Sequence, residues 1–142
     1  EIYEDRGAAA SFDFTEADLT EDGTWNDLDL SSIVPAGASA VNLMGIIQDD
    51  AAGSVLKFRP NGYLTSVNVP QQTTQVANVD IPFSFVVGVD SNRYMEYYAS
   101  NLTWTSIDIA VTGWWGSFDY DVMLYEGGEV MVTEDGKVMI YE

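Results

Sequence analysis

The sequence predicts an all-β protein: a jelly-roll-like antiparallel β-sandwich followed by a C-terminal appendage of three short strands. Apolar residues recur with a period close to two along most of the chain, and helical spacing is hard to find. These segments are short and follow one another at intervals of about 8 to 12 residues, as in sandwiches and barrels. Gly, Pro and Asn-rich turns separate them, and a chain of 142 residues suits one domain with a single core.

Each element has its own signal. Ser11 to Thr15 alternates, and Thr15 can cap a single helical turn through Leu19. Leu28-Asp29-Leu30 alternates again. Ala40 to Ile47 is apolar on both faces apart from Asn42, as in a strand covered on each side. Val55 to Arg59 alternates and stops at the turn Pro60-Asn61-Gly62. Tyr63 to Val69, ending at Pro70, and Gln75 to Asp80 read as further strands. Phe83 to Val89 ends at Asp90-Ser91-Asn92, and Arg93 to Tyr98 is aromatic. Thr103 to Val111 places Ile107, Ile109 and Val111 on one face, with Asp108 and Ala110 on the other.

The end of the chain repeats itself. Val122-Met123-Leu124-Tyr125-Glu126 returns as Val130-Met131-Val132-Thr133-Glu134, then as Val138-Met139-Ile140-Tyr141-Glu142. The copies are separated by Gly127-Gly128 and Asp135-Gly136, which suit hairpins. Both faces of each copy are largely apolar, whereas a sheet wetted on one side alternates apolar with polar. An intrachain meander is one reading. The favoured one is a subunit contact made by Val122, Met123, Leu124, Tyr125, Val130, Met131, Val132, Val138, Met139, Ile140 and Tyr141, by strand addition or apolar packing. The sandwich is therefore expected over residues 1–116, with 1–10 as an N-terminal arm, and the assembly appendage over 117–142.

Composition removes several classes of function. With no Cys and no His, disulfides, Cys-ligated metals and Ser-His-Asp or Cys-His chemistry are excluded. A net charge of −18 repels phosphate backbones and anionic lipid, so no nucleic-acid partner is expected. No apolar run is long enough to insert in a bilayer as a helix.

From Asp27 to Trp115 the chain resembles jelly-roll modules of tailed-bacteriophage structural proteins of the tail-fibre, head-decoration or receptor-binding type. The resemblance is carried by "DLDLSSIVPAGASAVNL", "QDDAAGSVLKFRPNG", "DSNRYMEYYASN" and "IDIAVTGWW", which share a strand-and-turn order and contain no catalytic motif. It implies a non-catalytic structural or adhesion subunit on a virion surface or outside the cell. The partners would be other copies of itself, other virion proteins or a cell-surface glycan.

Candidate ligand sites are fewer. Trp104, Trp114, Trp115 and the group Tyr94, Tyr97 and Tyr98 could form a platform for sugar rings, although core packing is the commoner fate of such residues. Trp114 and Trp115 are adjacent and point to opposite faces of a strand. No cofactor is required. Calcium is the one metal entertained, with Asp49, Asp50, Asp119 and Asp121 as weak candidate ligands, each more readily read as a solvated turn residue. Asn101-Leu102-Thr103 fits the N-glycosylation pattern. Two other readings stay open: a secreted carbohydrate-binding module, and a subunit of a cellular extracellular filament joined by strand exchange.

Overall fold

The computed structural model describes residues 1–118 and the two strands 129–132 and 138–141. The strands are β1 (Ile2–Asp5), β2 (Phe14–Thr15), β3 (Trp25–Asp29), β4 (Ala38–Gln48), β5 (Val55–Pro60), β6 (Gln71–Thr73), β7 (Ile81–Gly88), β8 (Tyr94–Ala99), β9 (Ser106–Gly116), β10 (Glu129–Val132) and β11 (Val138–Tyr141). One sheet has the order β1-β9-β4-β7, with β2 also on β9, and the other has β3-β8-β5-β6. Every pairing is antiparallel.

The pairs β2 with β9, β3 with β8, β4 with β7 and β5 with β6 describe one long hairpin whose turn lies between β5 and β6. That ribbon is rolled up, and the contacts of β4 with β9 and of β5 with β8 close it into two facing sheets. This is the jelly-roll order. Rolling the ribbon buries one side of its longer strands. Val41, Leu43, Ile47, Ile107, Ile109 and Val111 meet Leu28, Leu56, Phe58, Met95 and Tyr97 across the core.

One departure from simple alternation decides where side chains go. The register of β4 on β9 shifts between Asn42 and Leu43, so Leu43 faces Val111 while Asn42 faces Gly113. The extra residue on β9 is a β-bulge, which reverses the alternation beyond it. Trp114 consequently turns into the core and Trp115 outward, the reverse of what counting on from Val111 gives. At the bulge the Asn42 amide donates to Thr112 Oγ1 at 2.7 Å. The turn after β2 is the expected one. Glu16–Asp18 is a single 3-10 turn, and the Asp18 carboxylate accepts from Thr15 N at 2.8 Å.

Several expectations need correction. Tyr63 to Val69 is a loop, with Leu64 93% and Val67 91% exposed. The partner of β5 is instead Gln71–Thr73, a polar edge strand that needs no apolar face and so carries no apolar signal. Gln75 to Asp80 is also a loop. Asn78 takes a left-handed backbone conformation, φ 61°, which a strand does not accommodate. The N-terminal arm begins with a strand, since Ile2–Asp5 pairs with Gly113–Gly116. Arg6 then binds the buried side of Asp13, and Asp13 also accepts from Val111 N at 2.8 Å. Ala40 to Ile47 is not covered on both sides by the described residues, because Met44 on its outer face is 48% exposed.

β10 and β11 form a two-stranded antiparallel sheet of their own. Their register sets Val130 opposite Ile140, Met131 opposite Met139 and Val132 opposite Val138, pairing one sequence copy with the next. The first copy, 122–126, lies outside the described residues.

Candidate functional site: the outward face of the second sheet

The inward direction of Leu28, Met95, Tyr97, Leu56 and Phe58 forces their neighbours outward on the β3-β8-β5-β6 sheet. Trp25 faces Tyr98, which faces Lys57, and Asp27 faces Glu96, which faces Arg59. The Arg59 guanidinium lies 4.0 Å from the centre of the Trp25 ring and its Nε donates to Glu96 Oε1 at 3.0 Å. Lys57 Nζ sits 4.9 Å from the Tyr98 ring centre, and the Trp25 and Tyr98 rings are 5.8 Å apart at 56°. The Trp25 ring thus packs on a guanidinium that is itself only 13% exposed, and the indole remains partly exposed. Such stacking fixes the indole without burying it.

Next to this patch is a shallow depression of about 490 Å3, lined by Asp27, Ser31, Asn61, Asp90, Asn92, Tyr94 and the Arg93 side chain. Asp90 organises it, accepting from Asn61 Nδ2, Asn92 N and Tyr94 N, each at 2.9 Å. The Asn61 contact first, then these backbone donors, hold the Asp90 carboxyl below its ordinary value. Asp27 belongs to both the aromatic patch and the depression.

The platform residues expected from sequence are dispersed. Trp104 is core, its Nε1 donating to Ser100 O at 3.1 Å. Tyr97 is core, its hydroxyl accepting from Thr20 N at 2.7 Å. Trp114 is core, and its Nε1 finds no acceptor. Trp115 faces out, on the other sheet, with the Tyr3 ring 4.6 Å away. These four therefore form no common platform. Tyr98, one of the tyrosines expected from sequence, does face outward on the second sheet, beside Trp25, which was not among the expected residues although its spacing from Leu28 places it outside.

Of the candidate calcium ligands, Asp49 and Asp50 are the two among the described residues. Asp49 is buried, accepting from Ser54 Oγ and from Asp50 N at 2.8 Å, in a polar knot where Thr74 Oγ1 donates to Ala51 O at 2.9 Å. Asp50 is exposed. Among the described residues no three acidic side chains are grouped as metal ligands would be, and Asp119 and Asp121 lie outside them. Among the described residues no helix is long and apolar enough to cross a membrane.

One carboxyl, Glu21, is pushed out of its ordinary range. Glu21 Oε1 is buried with no donor to satisfy it, and Glu16 is the neighbouring carboxyl. Burial first, then a proton shared with Glu16, push Glu21 up to about 7. The folded state then keeps a proton that the unfolded chain releases nearer 4.5, so stability falls as pH rises from about 4.5 to about 7 and is flat above. Glu21 is partly solvated, so the change is on the order of 1 kcal/mol. Urea unfolding at pH 5 and pH 8 is expected to show this difference in the native chain and to lose it in Glu21→Gln.

Compared with protein-family models, with characterised proteins and with solved structures, the chain matches none.

Proposed function

We propose that the chain is a non-catalytic structural or adhesion subunit of a surface assembly, of the kind that forms virion decorations, tails or fibres, joined through apolar sheet faces and strand edges. One observation supports this above the rest. From Ala40 to Ile47 β4 is apolar on both faces apart from Asn42, and the described residues cover only the inner one. On the outer face Met44 is 48% and Val86 57% exposed, and Phe12 shares a shallow depression with Ala110. Single exposed apolar residues are ordinary, but Met44, Val86 and Ala110 share one sheet face with Asn42 and Ser84, a mixed surface of the kind that contacts between subunits use.

The terminal strands are the complementary part. A two-stranded ribbon is marginal in water by itself, and the repeated Val-Met-Val and Val-Met-Ile-Tyr segments bring the apolar residues such a surface needs. Among the described residues β7 is an edge strand of its sheet, beside Val86, and its Pro82 is suited to that place. Completing the burial of side chains of this size contributes on the order of 1 kcal/mol each, so several such contacts per subunit hold an assembly.

Light scattering across a concentration series tests this reading. The native chain is expected to assemble, and Met44→Glu with Val86→Glu to shift it to a folded monomer. A native chain that stays monomeric throughout overturns the proposal.

A further inference from the structure

We propose that the outward face of the β3-β8-β5-β6 sheet binds a neutral oligosaccharide, with Trp25 as the stacking platform and Asp27 with the adjoining depression as the hydroxyl-binding ground. The inference supplies a ligand class for the adhesion part of the proposed function, and it rests on that reading only in this respect.

Charge narrows the ligand first. The chain carries −18, and Asp27 and Asp90 border the depression, so a phosphate or an acidic sugar is repelled. The cations at the site are engaged: Arg59 is held by Glu96 and by the Trp25 ring, Lys57 lies on Tyr98, and Arg93 donates to the backbone carbonyls of Ser31 at 3.4 Å and Val34 at 3.0 Å. A metal ion lacks a converging acidic group among the described residues. A basic peptide would set its cation on an indole that already carries a guanidinium, and the two like charges would oppose each other.

A neutral pyranose fits what remains. Its flat C–H face stacks on the exposed part of the Trp25 indole, and its hydroxyls donate to a carboxylate and exchange hydrogen bonds with amide and hydroxyl groups such as Asn61 and Ser31. From Trp25 to Asp29 the strand runs four residues, about 13 Å, which accommodates a short oligosaccharide instead of one sugar. The hydrogen bonds on Asp90 and the stacking on Trp25 form before any ligand arrives, so little ordering opposes binding.

The test is a glycan array carrying neutral and sialylated glycans, with nona-arginine as the basic-peptide probe, followed by calorimetry on the full chain. A neutral glycan is expected to bind, at least about tenfold more weakly to Trp25→Ala and to Asp27→Asn, and equally well to Trp115→Ala. Asp27 is exposed, so Asp27→Asn decides the matter if Trp25→Ala does not fold. Binding of no neutral glycan, binding unchanged in both variants, or binding confined to sialylated glycans or nona-arginine overturns the proposal. A chain that assembles but binds no neutral glycan removes this site alone; a monomer that binds one removes the assembly alone.

Discussion

Phe58→Ala is expected to destabilise the protein by about 3–5 kcal/mol, as large-to-small aromatic changes in a closed core do. Phe58 has no solvent exposure and sits on β5, the inner strand of the second sheet. Its ring lies 5.8 Å from Phe83 and 6.2 Å from Phe85, which are themselves stacked at 5.3 Å across the core on β7. Removing it deletes the contact that joins the middle of one sheet to the edge strand of the other. The surrounding backbone is fixed by ladders on both sides of β5, so it cannot collapse onto the void. The cost is a large part of the 5–15 kcal/mol typical of a domain. It is read as a lower urea midpoint with an unchanged denaturant slope.

Gly45→Ala is the second large effect, and it opposes a general tendency. Replacing glycine with alanine in an extended strand ordinarily stabilises by about 0.4–1 kcal/mol through the unfolded chain. Gly45 is different because a Cβ there would lie 2.1 Å from the Asp108 carbonyl oxygen and 2.5 Å from Phe83 Cζ. The oxygen is backbone in the strand paired with β4, and the ring is held in the Phe58–Phe83–Phe85 stack, so neither yields cheaply. Overpacking of this kind costs about 1–3 kcal/mol or more, which exceeds the entropic gain. Thermal unfolding of Gly45→Ala should therefore show a clear loss, and a variant as stable as the native chain would show that β4 and β9 can separate more easily than their pairing implies.

The sandwich was legible because burial on one face leaves a period of two in every long strand. Ile107, Ile109 and Val111 are the clearest case, all on one face as expected and all buried. What was not legible obeyed local geometry instead of hydrophobic pattern. Gln71–Thr73 forms an edge strand with polar residues, while the apolar Leu64 and Val67 lie in a loop. The bulge opposite Asn42 reverses the direction of every residue after it, so the fates of Trp114 and Trp115 depended on an insertion that alternation cannot reveal. The polar knot around Asp49 likewise joins residues more than twenty positions apart, and a pair of adjacent aspartates gives no hint of it. Trp25 was within reach of the sequence. Its place outside the sheet follows from Leu28, but the guanidinium beneath it follows only from the strand order.

The central claim is that the terminal strands join one copy to the next. The core and the backbone ladders of the sandwich close by Phe118, which packs against the core, with Ser117 N donating to Gly37 O at 3.3 Å. A chain ending after Phe118 should consequently fold. Its mass in solution and that of the full chain, measured side by side by light scattering, provide the most direct test. The account predicts an assembly for the full chain and a folded monomer for the shortened one. Equal masses for the two chains, whether both monomeric or both assembled, would contradict it.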